Sequence, residues 1–413
     1  MTDLPHGALV IGPMAALSFL FQAHRLLVGA LLGASTILVD FGVTATAAGL
    51  LAAVYFPAYG AVQIPSGILA DRGRPARNLV WSALAMFVAT LTFAFAPNLE
   101  LAVVARIAVG VGSGLIFLSV LKVGARVAAD SFPRFIGLMI SLGSFGGIAA
   151  LAGFPIMLSI WDWRTVTVLS ALPLLPVVVA LYWLDRRLGH DVEERQKEAL
   201  PIRSALWVAA GSPAFWVVTI AAMGFNGSHF AMLSWVTRYA RDGLGLSPWA
   251  TGILPGLVPT GILVGAYISG WIFNRSPELG RRIYYGSIAT YGVLNIVMLT
   301  LDGSMIGTIL VGVLAFVLGF LFSNFFICMS LVARAVPPGA LGTATGILNG
   351  LAFVPAFILP WAMGWVMDLV DRPTSSAWTY SQSAFAAAFA LSVAQLAACL
   401  LIAWSLSHWS KRS

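Results

Sequence analysis

The chain has 413 residues, of which 59% are apolar and 9% charged, against roughly 25% charged in an ordinary soluble domain, so a water-soluble fold could not bury its apolar surface. Its formal net charge of +7 is dispersed among short connecting segments and nowhere forms a basic patch interleaved with aromatics, which excludes nucleic acid as a partner and points to a lipid bilayer. The two cysteines, Cys328 and Cys399, lie in apolar segments without metal-ligand spacing, so no disulfide framework, metal site or cofactor is expected.

A helix crossing a hydrocarbon core about 30 Å thick needs about twenty mostly apolar residues, at about 1.5 Å per residue. Twelve stretches meet that length: 13–35, 47–70, 78–96, 101–122, 135–157, 165–184, 213–237, 249–273, 283–301, 305–333, 340–367 and 380–407. The first has no basic segment before it and no cleavage site after it, so it is expected to stay as a helix and not to be removed as a signal peptide. The polar run DRRLGHDVEERQKEALPIR separates an N-terminal six-helix bundle, 1–184, from a C-terminal one, 213–413, with 185–212 as a cytoplasmic linker. With the N-terminus inside, sixteen of the 23 Lys and Arg fall in inner loops or the tail, four (Arg164, Arg238, Arg241 and Arg372) fall in outer loops, and Arg25, Arg106 and Lys122 lie in or at the edge of spans. That asymmetry predicts two cytoplasmic termini in a multi-pass protein of the cell inner membrane.

The halves are related in sequence. Phe41-Gly-Val-Thr-Ala-Thr-Ala-Ala-Gly49 leads into the second span, and 203 residues later Leu244-Gly-Leu-Ser-Pro-Trp-Ala-Thr-Gly252 leads into the eighth. The same offset pairs Gly67 with Gly270 and Arg72 with Arg275, and an offset of 205 pairs Pro133, Gly137 and Pro155 with Pro338, Gly342 and Pro360. Near-constant offsets indicate a duplicated six-helix unit, an arrangement that puts a solute site near the midplane between the halves.

Gly67-Ile-Leu-Ala-Asp71-Arg72-Gly73-Arg74-Pro-Ala-Arg77, in the loop after the second span, resembles the G-x-L-A-D-R-x-G-R loop of the major facilitator superfamily, short of one residue before the glycine. Gly270-Trp-Ile-Phe-Asn274-Arg275 is a half-copy after the eighth span, and Arg106-Ile-Ala-Val-Gly110-Val-Gly112-Ser-Gly114 resembles the family's R-x-x-x-G-x-G segment. Within the family, His24-Arg25, the run Tyr55 to Pro65, Leu121-Lys122 and Asp162-Trp163-Arg164 resemble the sugar-phosphate or organic-anion permease branch. The resemblance implies an all-α membrane protein, two six-helix bundles related by a pseudo-two-fold axis, and solute transport without enzymatic chemistry. Gly67, Asp71, Arg72, Arg74, Arg77, Gly270 and Arg275 are then gate residues, with Arg106 a further candidate for gating or coupling.

Intramembrane charge is expensive and so usually faces a cavity or a partner. Arg25 lies about twelve residues, or about 18 Å, into its span, near the midplane. Gln22, Arg25, Gly29 and Gly33 share one helical face at spacings of three and four. The sixteen acidic residues all fall in loops or at span ends, so Arg25 is expected to find its counter-charge in an anionic solute or to be solvated by Tyr55, Tyr59 and Gln63. A guanidinium pairs bidentately with carboxylate or phosphate. Lys122 is a second candidate cation, able alternatively to snorkel to the cytoplasmic surface. In the second half Asn226 and His229 lie three apart, His229 falls within one residue of Arg25's repeat position, and Asn324 and Asn349 complete a neutral rim. His24 and His229 are the histidines deep enough to carry a coupled proton. The expected function is transport of a small organic anion, a carboxylate or phosphate ester, by a monomer working through alternating access. The alternatives are a proton-coupled antiporter of drugs, which would want a deep carboxylate, and a transport-like receptor, which would bind without flux.

Overall fold

The structure is a computed structural model that describes residues 4–34, 37–72, 74–128, 132–188, 202–301, 303–337, 340–371 and 379–409. The described residues are almost entirely helical and form no strand. Among the described residues eleven stretches are long and apolar enough to cross a membrane: Ile11–Leu32, Ala45–Gln63, Pro75–Ala94, Leu99–Gly124, Gly137–Met157, Trp163–Leu188, Pro213–Gly243, Trp249–Ala266, Met305–Ala335, Thr343–Asp371 and Gln382–His408. The expected ninth span corresponds to the helix Pro277–Leu299, long enough at 23 residues but less apolar, because it carries Tyr284, Tyr285, Tyr291 and Asn295. Tyr284, Tyr291 and Asn295 are buried, so these three side chains face protein and not lipid. It packs against the eighth, tenth and twelfth spans.

Local chemistry sets where the spans begin. Ser212, Ser247 and Ser276 each accept a hydrogen bond from a backbone N–H three residues on and are each followed by a proline, the pairing that satisfies a helix N-terminus and presets its first turn. Asp162 caps the sixth span, and the Thr165 hydroxyl beside it holds its carboxyl below the usual range. Thr44, before the second span, makes no such side-chain bond.

Two span ends run further than the charge pattern indicates. The seventh continues to Gly243, which puts Arg238 at the end of its α-helix and Asp242 in the π-helical turn that follows, and not in an outer loop. The eleventh continues to Asp371, so Asp368 is helical. The sixth reaches Leu188, taking in Asp185, Arg186 and Arg187 of the expected linker, and a short helix, Ile202–Ala210, precedes the seventh. Residues 189–201 of the linker lie outside the described residues.

The halves meet along a seam where the second span packs on the eleventh, the fifth on the eighth and the first on the seventh. The duplication is visible in it. A Cβ on Gly49 would lie 2.3 Å from the Pro360 carbonyl oxygen, and one on its repeat partner Gly252 would lie 2.7 Å from the Ala152 carbonyl oxygen and 3.3 Å from Pro155, the repeat partner of Pro360. These glycines let backbones approach as van der Waals packing in a membrane requires.

Candidate functional site

The seam has three levels: a middle, the end that carries the linker, and the opposite end. At the middle, Arg25 projects from the first span into a cluster of rings. Its guanidinium carbon lies 4.4 Å from the Phe230 centroid, 4.9 Å from Phe353, 5.2 Å from Tyr59, 5.7 Å from Phe56 and 5.9 Å from Phe21. These rings come from the first, second, seventh and eleventh spans, so both halves surround one cation. Gln22, one turn earlier, accepts from Nη1 at 3.4 Å. Among the described residues no carboxylate pairs with Arg25, and its Nε is buried without a hydrogen-bond partner. The adjoining cavity, lined by Arg25, Leu26, Gly29, Ala52, Phe56, Phe230, Leu233 and Ser234, holds about 10 Å³, on the order of one water. The site is collapsed onto its own aromatic walls in this state.

Other candidates extend this level. Gln63 donates to the Gly114 carbonyl at 3.3 Å and accepts from Asn349 at 3.2 Å, joining the halves. Tyr59 stacks on Tyr55, with centroids 5.8 Å apart, and Arg106 lies over the far side of that column, 5.2 Å from Tyr55. Arg106 is buried and donates to the His24 carbonyl at 3.1 Å, which holds it inside the N-terminal half at the level of Arg25 and away from either end. His24 donates from Nδ1 to the Leu20 carbonyl. His229 stacks on Phe322 at 3.4 Å with its Nδ1 3.3 Å from the Tyr291 hydroxyl, one ring behind Phe230. Asn226 donates to the Ala352 carbonyl, and Asn324 is bonded to Ser269, Ser287 and the Leu321 carbonyl, so both amides tie helices of the C-terminal half together. Lys122 is exposed near the linker end of the fourth span. None of these three lines the cavity.

At the linker end the side chains of Asp71 and Arg72 and the surroundings of Gly67 and Gly270 lie outside what the structure describes. Arg74 forms a salt bridge with Asp185 at 3.1 Å and also donates to the Asp185 carbonyl, tying the loop after the second span to the sixth. Arg74 and Arg77 border a surface cavity of about 500 Å³ with Trp81, Tyr182, Asp185 and Arg186. Arg275 is exposed at the end of the eighth span.

At the opposite end lies an arrangement that sequence reasoning missed. The Asp368 carboxylate, on the eleventh span, accepts from the Ala45 N–H at 3.1 Å, the Thr46 N–H at 2.8 Å, the Thr46 hydroxyl and the Tyr380 hydroxyl at 2.8 Å. It supplies from the other half the cap that Thr44 does not, and a carboxylate at a helix N-terminus also meets the positive end of the helix dipole. Burial pushes the Tyr380 phenol above its ordinary range, which keeps it a donor to Asp368. Beside it Arg238 pairs with Asp242 and donates across the seam to the Leu32 carbonyl at 3.2 Å. A signal existed in the i, i+4 spacing of Arg238 and Asp242. No comparable signal marks Phe56, Phe230 and Phe353, apolar residues among apolar residues.

The sequence profile described as Major Facilitator Superfamily matches residues 14–360. The probable sulfoacetate transporter SauU of Cupriavidus necator is 24% identical over 311 residues, 70% of either chain, and the probable L-galactonate transporter of Escherichia coli K12 is 24% identical over 328 residues, 73% of this chain and 70% of that one. Among solved structures, a bacterial homologue of the human lysosomal transporter Spinster superposes with a TM-score of 0.74 at 17% identity, covering 99% of this chain and 98% of that one. With a profile match over most of its length, and relatives that are transporters and not enzymes, the chain belongs to the major facilitator superfamily.

Proposed function

We propose that the protein carries a small organic anion, a carboxylate or phosphate ester, and that Arg25 is its counter-charge. The observation that carries this reading is a half-buried guanidinium at the seam of the two halves, walled by five rings and without a carboxylate partner among the described residues. A membrane protein retains an unmatched charge at such a site when a solute or water completes it. The relatives named for sulfoacetate and L-galactonate, both small organic anions, support the same reading. Gln22, Tyr59, Gln63 and Asn349 border the solute, with Tyr55, His24 and His229 behind them. Residues 1–184 and 213–413 rock about the seam, the Asp368 cap closing one end and the loop of Gly67, Asp71, Arg72, Arg74 and Arg77 the other. Both termini face the cytoplasm of an inner membrane, and the protein works as a monomer. Any coupled proton travels on His24, His229 or the solute.

The test is uptake into proteoliposomes of labelled carboxylates, phosphate esters, cations and neutral sugars, after a thermal-shift screen of the purified protein. Saturable uptake of an anion, lost in Arg25→Ala, is the expected result. Uptake confined to cations, or tight anion binding with no flux, contradicts it.

A further inference from the structure

Resting on that reading, the structure also narrows the solute. We infer that it is a monocarboxylate with a planar, apolar, ring-shaped body, and not a polyhydroxylated acid, a dianion or a phosphate ester.

The charge is limited first. Of the residues lining the central cavity, Arg25 alone is ionic. Arg106 donates from Nη1 to the His24 carbonyl and keeps Nε and Nη2 buried without a partner, but the stacked pair Tyr55 and Tyr59 stands between it and the cavity, while Lys122 is exposed near the linker end. One cation neutralises one negative charge. A second charge on the solute would be desolvated without a partner, which costs far more than a single pair returns.

The polarity of the body is limited next. The neutral polar groups nearest Arg25 are already bonded within the protein: Gln22 to Arg25, Ser234 to the Phe230 carbonyl, Gln63 and Asn349 to one another, and His229 to Tyr291; the Tyr55 hydroxyl and His24 Nε2, which have no partner, are buried behind the Tyr59 ring. A chain of hydroxyls entering here would have to break those bonds or stay unmatched.

The shape follows from the walls. The cavity has room for about one water, so a solute enters only by parting Phe230 and Phe353 of the C-terminal half from Phe21, Phe56 and Tyr59 of the N-terminal half. Those faces now cover one another: Phe56 stacks on Phe353 at 5.9 Å and 5°, and Tyr59 meets Phe353 edge-on at 5.1 Å. A flat ring slotted between them restores the lost stacking while its carboxylate meets the guanidinium, and an aliphatic polyol does neither.

The experiment is calorimetry on the purified full-length protein with benzoate, benzamide, galactonate, sulfoacetate and hexanoate as probes. Benzoate should bind at least about tenfold tighter than galactonate or sulfoacetate, and benzamide, its neutral counterpart, should not bind detectably. Phe353→Leu keeps an apolar wall without a ring, so it should weaken benzoate several-fold and leave hexanoate nearly unchanged. If galactonate or sulfoacetate equals or exceeds benzoate while Arg25→Ala abolishes its binding, the ring-shaped solute is wrong and the anion reading stands. If benzoate does not bind, or Phe353→Leu weakens both monocarboxylates alike, the inference is overturned. Binding of every anion unaffected by Arg25→Ala overturns the underlying reading as well.

Discussion

Two arginines reach across the seam between the halves, and they meet opposite surroundings. Arg238 pairs with Asp242 one turn away, spends another N–H on the Leu32 carbonyl of the other half, and has a side chain only 4% exposed. Arg25 meets aromatic faces and the edge of one glutamine amide, with a buried Nε unmatched. A cation whose charge is answered within the protein can act as a structural clasp between halves. One whose charge is unanswered makes a site, because the missing anion must come from outside. The same contrast separates whole levels of the seam: the end around Asp368 satisfies its polar groups across the halves, whereas the middle holds its charge against rings.

Breaking the answered pair should have the largest effect. Asp242→Ala leaves Arg238 buried and uncompensated, which typically costs about 3–5 kcal/mol, so the apparent unfolding midpoint in detergent should fall sharply. Replacing both partners, as Arg238→Leu with Asp242→Leu, should recover most of that loss. An unchanged midpoint in the single variant would show that the pair is not buried in the working protein.

Asp368→Ala should come next. It removes the carboxylate that caps the second span from the other half, and hydrogen bonds to charged groups are worth about 1.5–3 kcal/mol, so the closed-to-open ratio at that end should shift by roughly ten- to a hundredfold. Spin labels at Glu100 and Met305, at that end of either half, should report a growing long-distance population, whereas an unaltered distance distribution contradicts a clasp. The smallest effect is expected at Lys122. An exposed charge is worth about 0–1 kcal/mol, so Lys122→Gln should leave solute affinity within about fivefold, and a larger loss by calorimetry would move the anion site towards the linker end.

The spans were legible in the sequence because apolar length is a local property, read without knowing what packs on what. The ninth was legible by length and position, though its tyrosines make it less apolar than its neighbours. The pairing of Gly49 with Pro360 and of Gly252 with Ala152 and Pro155 was half-visible, since the offsets of 203 and 205 related those residues without saying that they touch. Arg25 stood out because a charge within a span is conspicuous. Its ring wall did not, because Phe56, Phe230 and Phe353 converge only once the second, seventh and eleventh spans are packed together. Arg238 and Asp368 were read as loop or span-end charges for a related reason: a charge answered by a partner can remain helical and wholly or partly buried, and in Asp368's case the partner is 323 residues away.

The central claim is that Arg25 holds the anionic end of the solute. The most direct measurement is the affinity of the identified anion for wild type, Arg25→Lys and Arg25→Ala, by calorimetry on protein confirmed as folded and monodisperse. Removing a desolvated charge partner typically costs about 2–5 kcal/mol, so Arg25→Ala should bind roughly thirtyfold to several thousandfold more weakly, with Arg25→Lys in between because it keeps the charge and loses the planar fork. Wild-type affinity in Arg25→Ala would contradict the claim.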